Sequence, residues 1–305
     1  MPADAYLPPA EAAALVERLA LGTAQFGLAY GINNVAGRPA DATVQEILAT
    51  AQAAGIALLD TAAGYGDSEA RLGNWLAQQP HPPFQLVTKL AAAPVAEVRE
   101  QLRQSLARLR QPAVYGVLFH SFGAFREHPA AWAVLQEARA AGVAQRVGVS
   151  LYHPREAEWL LEQAIGVDLV QVPFNVLDQR FAAVLPRLRQ AGVEVHVRSA
   201  FLQGLLLRPT ESLPDFFAPL APKIAQLRAL AGQAGVPLAA LLLLFAAFAE
   251  GVDRVVIGVD TSANLHENLA AARYLAQAEA LRPALQELAE TTDNYTLPYA
   301  WPPRS

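Results

Sequence analysis

The chain has 305 residues, 53% hydrophobic and 17% charged, with a formal net charge of -5. That length and apolar content suit a large soluble core, and mild acidity without a basic run argues against nucleic acid or an anionic membrane as partner. The lack of cysteine removes disulfides and thiolate chemistry together, and six histidines without a His-x-x-x-His or His-x-His pair leave no metal site in view.

Residues 1–20 carry Asp4, Glu11, Glu17 and Arg18 and lack the basic start and apolar run of a signal peptide, so a cytoplasmic protein is expected. A brief strand over 19–23 runs into a Gly-punctuated loop, residues 25–31, that includes Phe26 and Tyr30. After a helix over 43–54, the apolar run 55–59 stops at Asp60. That pattern predicts a buried strand, then a loop in which Gly64 and Gly66 free Tyr65, then a helix over 68–78.

The alternation continues with a strand over 84–90 that contains Lys89 and a helix whose Val95, Val98, Leu102, Leu106 and Leu109 share one face. A fourth strand over 114–119 stops at His120. Helices over 130–141, 155–164 and 180–190 lead to strands over 146–150, 168–173 and 193–197, ending near Ser150, Gln171 and Arg198. The uncharged segment 236–249 is shorter than the roughly 20 residues that span a bilayer and reads as a buried helix between Pro237 and Gly251. An eighth strand over 254–259 precedes a helix from about Asn264 and an apolar-periodic stretch over 278–289.

Eight strands, each followed by helical sequence at intervals of roughly 30 residues, predict a single (β/α)8 TIM barrel domain over 1–305. The unit after strand seven is oversized, with an extended proline-bearing loop over 204–219. An extra helix and a tail over 291–305, rich in prolines and holding Tyr295, Tyr299 and Trp301, close the chain over the rim, on the outside or at an oligomer contact. A doubly wound open sheet is the alternative, but residues 22–27 do not spell the Gly-x-Gly-x-x-Gly of a dinucleotide-binding half.

In a barrel, Asp60, Tyr65, Lys89 and His120 come to one face. Singly, each has a plain reading as a cap, a packing residue, a solvated strand end or a core histidine. Together they suit the protonation of a carbonyl oxygen. An ammonium at Lys89, with Asp60 as counter-ion, would lower the pKa of Tyr65, and His120 would hold the oxygen against the phenol. A Schiff base on Lys89, as in a lyase of the class I aldolase type, is the competing chemistry. Phe26, Tyr30, Phe122, Phe125 and Tyr152 are candidate walls of a substrate pocket.

With Leu21-Gly22-Thr23, Asp60-Thr61-Ala62-x-x-Tyr65-Gly66, Thr88-Lys89, His120, Gly148-Val149-Ser150, Gln171-Val172-Pro173-Phe174-Asn175 and Glu267-Asn268 in order, the sequence resembles the aldo-keto reductases over nearly its whole length. The resemblance implies hydride transfer from a nicotinamide cofactor to a small carbonyl substrate, with Asp60, Tyr65, Lys89 and His120 as the catalytic residues. It implies cofactor contacts at Gly22, Thr23, Ser150, Gln171, Arg198, Ser199, Phe201, Gly204, Gly258, Thr261, Ser262, Asn264, Glu267 and Asn268.

The sequence departs from the family pattern at three places. Leu151 stands where an asparagine usually follows Ser150, and Arg198 stands where many members stack an aromatic ring on the nicotinamide. The lysine and arginine that often clamp a 2'-phosphate are replaced by Gly258 and Asn264, with Asp260 of the wrong sign beside them. NADPH is the expected cofactor, held through Thr261, Ser262, Asn264 and backbone N–H groups, with NADH as a possible second. A cofactor-binding regulatory subunit with little turnover is the remaining alternative.

Overall fold

The computed structural model describes residues 9–34, 37–81 and 83–302. Residues 1–8 and 303–305, which belong to the N-terminal stretch and the tail considered above, lie outside the described residues. Eight parallel strands close into a barrel in sequence order. They are β1 (Leu19–Gly22), β2 (Leu58–Asp60), β3 (Gln85–Leu90), β4 (Val114–Phe119), β5 (Ala144–Ser150), β6 (Leu169–Pro173), β7 (Glu194–Arg198) and β8 (Arg254–Gly258). The ring is shut by β8 on β1, where Gly258 lies opposite Gly22.

Strand periodicity decides what the barrel encloses. Ala20, Leu58, Val87, Leu118 and Leu169 form a separate inner cluster with Tyr115 and Val256 packed against it, whereas Leu21, Leu59, Leu86 and Val117 join the larger core outside the sheet. Successive side chains of a strand point to opposite faces, so residues two beyond the inner cluster also face the lumen. Counting two on from Ala20, Leu58, Val87, Leu118, Leu169 and Val256 reaches Gly22, Asp60, Lys89, His120, Gln171 and Gly258. Arg198 follows on β7 in the same alternation, two on from fully buried His196.

The helices that clothe the barrel follow the expected apolar periodicity, with instructive exceptions. Leu238–Ala247 is capped by Pro237, and every residue from Ala240 to Ala247 is buried, in line with the buried helix expected over 236–249. A helix over Pro9–Arg18 adds to the expected elements; Arg18 anchors it by donating to the carbonyls of Ala247 and Val252. Instead of a helix from residue 180, regular helix covers only Leu185–Gln190. Arg180 is held by two hydrogen bonds to Asp178, 2.8 Å each, and by a third to Asp293 of the tail, which fixes an irregular turn before the helix.

The oversized unit after β7 consists of short 3-10 pieces at Leu202–Leu207, Thr210–Ser212 and Asp215–Leu220, then the Ala221–Gln233 helix and the buried one. The C-terminal tail lies against this loop, with Tyr295 and Trp301 on Phe216 and Phe217, and it reaches the rim through Tyr299, 5.0 Å from Tyr152. Among the described residues no single helix is long and apolar enough to cross a membrane.

Close helix packing depends on one glycine. A Cβ on Gly73, in the Ser68–Leu76 helix, would sit 2.0 Å from the Arg108 carbonyl oxygen of the Val95–Leu109 helix. Gly73→Ala is expected to push these helices apart and cost about 1–3 kcal/mol. Urea unfolding followed by circular dichroism reads this, and an unchanged midpoint refutes the contact.

Candidate active site

The site begins with a buried ion pair. The Lys89 Nζ donates to Asp60 Oδ1 at 2.6 Å and to the Thr61 carbonyl at 3.0 Å, and the second Asp60 oxygen accepts from Gln171 Nε2 at 2.8 Å. Lys89 is 1% exposed and Asp60 2% exposed, so the pair sits in the barrel with little water around it. Burial pulls the lysine pKa down, and the carboxylate opposes it. With both polar contacts engaged and no exposure, Lys89 is poorly disposed to attack a carbonyl as a Schiff-base nucleophile.

Tyr65 stands next to the pair, its ring centre 5.2 Å from Lys89 Nζ and 5.5 Å, edge-on, from the His120 ring. The loop that carries it is clamped rather than freed by glycine. A Cβ on Gly27 would lie 1.8 Å from the Tyr65 carbonyl oxygen, and one on Gly66, at φ +55°, would lie 2.4 Å from the Gly27 carbonyl oxygen. The short helix Ala24–Gly27 therefore packs backbone to backbone on the tyrosine loop. Buried Ser68 adds hydrogen bonds to the Thr23 carbonyl and hydroxyl oxygens, and the Thr23 hydroxyl donates to the Asp60 carbonyl.

The electrostatics correct one sequence expectation. Tyr65 is pushed above the ordinary phenol value, first by burial and next by the Asp60 carboxylate, with Arg198 pulling the other way. Lys89 comes with the Asp60 carboxylate at contact distance, and burial together with that carboxylate keeps the phenol from becoming acidic. His120 moves the opposite way, from 6.5 to about 4, through burial and then the Lys89 charge, and is a neutral imidazole at pH 7.

A cleft opens above these groups, with about 1200 Å³ of empty space, its mouth included. Asp60, Tyr65 and Gln171 line it, as do Gly22, Thr23, Arg198, Ser199, Phe201, Gly204, Gly258, Asn264, Glu267 and Asn268. Lys89, His120 and Ser150 are not among its lining residues. Thr261 and Ser262 are also outside it. The Thr261 hydroxyl caps the Ser262–Leu269 helix on Asn264, and the Ser262 hydroxyl donates to Glu46. Leu151 is fully buried and offers only its carbonyl, which accepts from Arg198 at 3.3 Å.

The expected aromatic pocket is mostly core. Phe26 and Phe125 are 0% and 2% exposed, and Phe122 packs on Phe125 and Trp159 outside the barrel. Of the five aromatics named, Tyr30 lines the cleft and Tyr152 stacks on Arg198 at 4.3 Å.

Sequence reasoning missed Gln25, Asn33, Asn34 and Gln203, all in the cleft lining. The loop after β1 is joined to the loop after β7 by Ile32 N–H to the Gln203 carbonyl, 2.9 Å, and Asn33 Nδ2 to the Gly204 carbonyl, 2.6 Å. Left-handed backbone at Ser199, Leu202, Gln203 and Gly204 shapes the second loop. Asn34 Nδ2 is buried in the cleft without a hydrogen-bond partner among the described residues, an arrangement that suits a ligand acceptor. Its signal was the polar Asn33-Asn34 pair directly after the Gly-punctuated loop.

The family model for the aldo/keto reductase family matches residues 18–282. Among solved structures, aldo-keto reductase AKR11C1 from Bacillus halodurans in its holo form is 21% identical. The match covers 90% of this chain and 93% of that one, with a TM-score of 0.74. The PA4992 protein of Pseudomonas aeruginosa is 23% identical over 85% of this chain and 90% of its own, with a TM-score of 0.65. At these identities the likeness is one of fold. No curated protein matches the chain in sequence.

The low pKa of His120 carries a sign. As pH falls the unfolded chain takes up this proton near 6.5 and the folded chain only near 4, so the folded state loses stability between those values and keeps it fully above them. One such proton is worth at most about 1.4 kcal/mol per pH unit. His120→Gln is expected to lose less stability than the parent between pH 7 and pH 4.5 in urea titrations; parallel losses would contradict the assigned shift.

Proposed function

The chain belongs to the aldo/keto reductase family, and from that premise we propose that it reduces an aldehyde or ketone to an alcohol, or runs the reverse, with Tyr65 as proton donor. The observation that carries the reading is the fully buried Lys89–Asp60 pair, 2.6 Å apart, beside a phenol and a neutral imidazole on one inner face of the barrel.

A nicotinamide dinucleotide suits the cleft. Asn34 offers an amide nitrogen with no partner among the described residues, the loop from Ser199 to Gly204 offers turned backbone, and Gly22 and Gly258 contribute side-chain-free lining. The Gln171 carbonyl oxygen is left to accept from a carboxamide while its amide holds Asp60, with Ser150 behind it. Gly22 and Thr23 would make backbone contacts, and Arg198 would lie beside the ring. Ser199, Phe201 and Gly204 would follow the pyrophosphate. Gly258, Asn264, Glu267 and Asn268 would meet the adenosine end, with the first backbone N–H groups of the Ser262–Leu269 helix near phosphate in place of the Thr261 and Ser262 hydroxyls.

When bound, the cofactor supplies the hydride. Everything at the carbonyl oxygen is done by the chain. His120, uncharged at pH 7, donates an N–H to hold the oxygen. Tyr65 hands over its proton as negative charge develops there. A raised phenol pKa does not disqualify it, because the alkoxide that would otherwise form is about as basic as hydroxide and far more basic than a phenolate. Asp60 and Lys89 keep the floor of the site polar and rigid, each satisfying the other.

Tyr65→Phe is expected to lower turnover with aldehydes by roughly 10²- to 10⁴-fold while cofactor fluorescence titrations stay near the parent value, since the change removes the proton donor and little contact area. Near-parent turnover would discard the assignment.

The adenosine end carries Asp260 and Glu267 and, among its described lining residues, no lysine or arginine. A 2'-phosphate therefore gains little there. NADPH, expected from the family likeness, should be favoured over NADH by less than about tenfold in kcat/KM, a difference of at most about 1.4 kcal/mol. A hundredfold preference would mean a phosphate clamp not visible in these side chains.

A further inference from the structure

One positive charge at the chemical end of the cleft is not cancelled by any neighbour. Lys89 and Asp60 neutralise each other at 2.6 Å. Tyr65 is a phenol, and His120 is a neutral imidazole at pH 7. Arg198 remains. It is half-buried, lines the cleft at the end of β7, and makes only long hydrogen bonds, 3.3 Å to the Leu151 carbonyl and 3.4 Å to the Ser199 hydroxyl. Its guanidinium lies 4.3 Å from the centre of the Tyr152 ring, and among the described residues no carboxylate pairs with it.

The field of this charge acts on Tyr30, Tyr65, Lys89 and His120, the groups around the position where a carbonyl would be reduced. A dinucleotide that delivers hydride to a carbonyl held at Tyr65 has its nicotinamide ring in that field and its phosphates at least one ribose farther away.

We propose that Arg198 makes this site take up the reduced nicotinamide cofactor in preference to the oxidised one, so that in a mixed pool the site is occupied mainly by the hydride-donating form. The inference rests on the carbonyl-reductase reading above and adds a preference between the two cofactor forms to it. The two cofactor forms share every phosphate, ribose and adenine contact and differ in the ring. The reduced ring is neutral; on losing hydride to the carbonyl carbon, while Tyr65 protonates the oxygen, it becomes a pyridinium cation. A guanidinium several ångströms away, in a site of intermediate dielectric, repels the cation and leaves the neutral ring alone. For unit charges in such a setting the effect on the ratio of dissociation constants is on the order of 10- to 100-fold.

Calorimetric titration of the purified protein with NADPH, NADP+, NADH and NAD+ tests this without turnover. The reduced form of whichever cofactor binds should have a dissociation constant at least about tenfold below that of its oxidised partner. Arg198→Gln should shrink the ratio to within about threefold, mainly by tightening the oxidised form, and Arg198→Lys should keep it. Equal constants for the two forms in the parent protein would overturn the proposal, a test that needs no variant to fold. Equal weakening of both forms in Arg198→Gln would also overturn it, by making Arg198 a phosphate or ribose contact. Binding of none of the four nucleotides would defeat the carbonyl-reductase reading itself, and this proposal with it.

Discussion

An ammonium taken out of water costs several kcal/mol unless its partners are buried with it. The upper layer of this barrel is organised by how that cost is offset at Lys89. Asp60 from β2 accepts one hydrogen bond and the Thr61 carbonyl another, and Gln171 from β6 closes the remaining carboxylate oxygen. Three strands are thereby tied through the lumen, and none of the three side chains has a free choice of rotamer. Removing one partner leaves the others buried and unpaired, so the triad behaves as a unit.

The same pairing shapes the acidity of the phenol. A free ammonium next to Tyr65 would stabilise the phenolate, but Lys89 comes with a carboxylate in contact, and that carboxylate acts on the phenol the other way. Burial and Asp60 then hold Tyr65 protonated, and Arg198 opposes them. In the proposed reaction, a phenol that stays protonated, facing a substrate oxygen that becomes strongly basic only during hydride transfer, would keep its driving force for the moment of reaction. His120 is tuned to match. Burial and the nearby ammonium keep it neutral, so it presents an N–H without adding a second cation to the site.

Much of this was legible in the sequence because a barrel strand converts order into position. Asp60, Lys89, His120 and Gln171 each fall two residues beyond a lumen-facing Leu or Val. Once eight strand units were recognised, alternation alone put them on one inner rim. Local patterns were enough for the buried helix after Pro237 as well. Contacts between units left no local trace. The Arg180 fork onto Asp178 and Asp293 overrides helical propensity over residues 180–184 from 113 positions away. The hydrogen bond from Ser262 to Glu46, 216 residues earlier, is another contact of this kind. Phe122 and Phe125, adjacent to His120 in sequence, turn outward because the chain leaves the lumen at the end of β4 and the Phe122–Glu127 helix packs on the outer core.

The position of Tyr65 is the clearest case of a site residue set from elsewhere in the chain. Its flanking glycines suggest freedom when read alone. In the fold, Gly66 takes a left-handed φ so that the loop can meet the Gly27 backbone, and Gly27 lacks a side chain for the same reason. Two backbones at that separation admit no methyl group and leave little room for sliding. The placement of the phenol is therefore a property of the β1 and β2 units together, and for the proposed reaction the short helix over Ala24–Gly27 would preorganise the proton donor through its backbone.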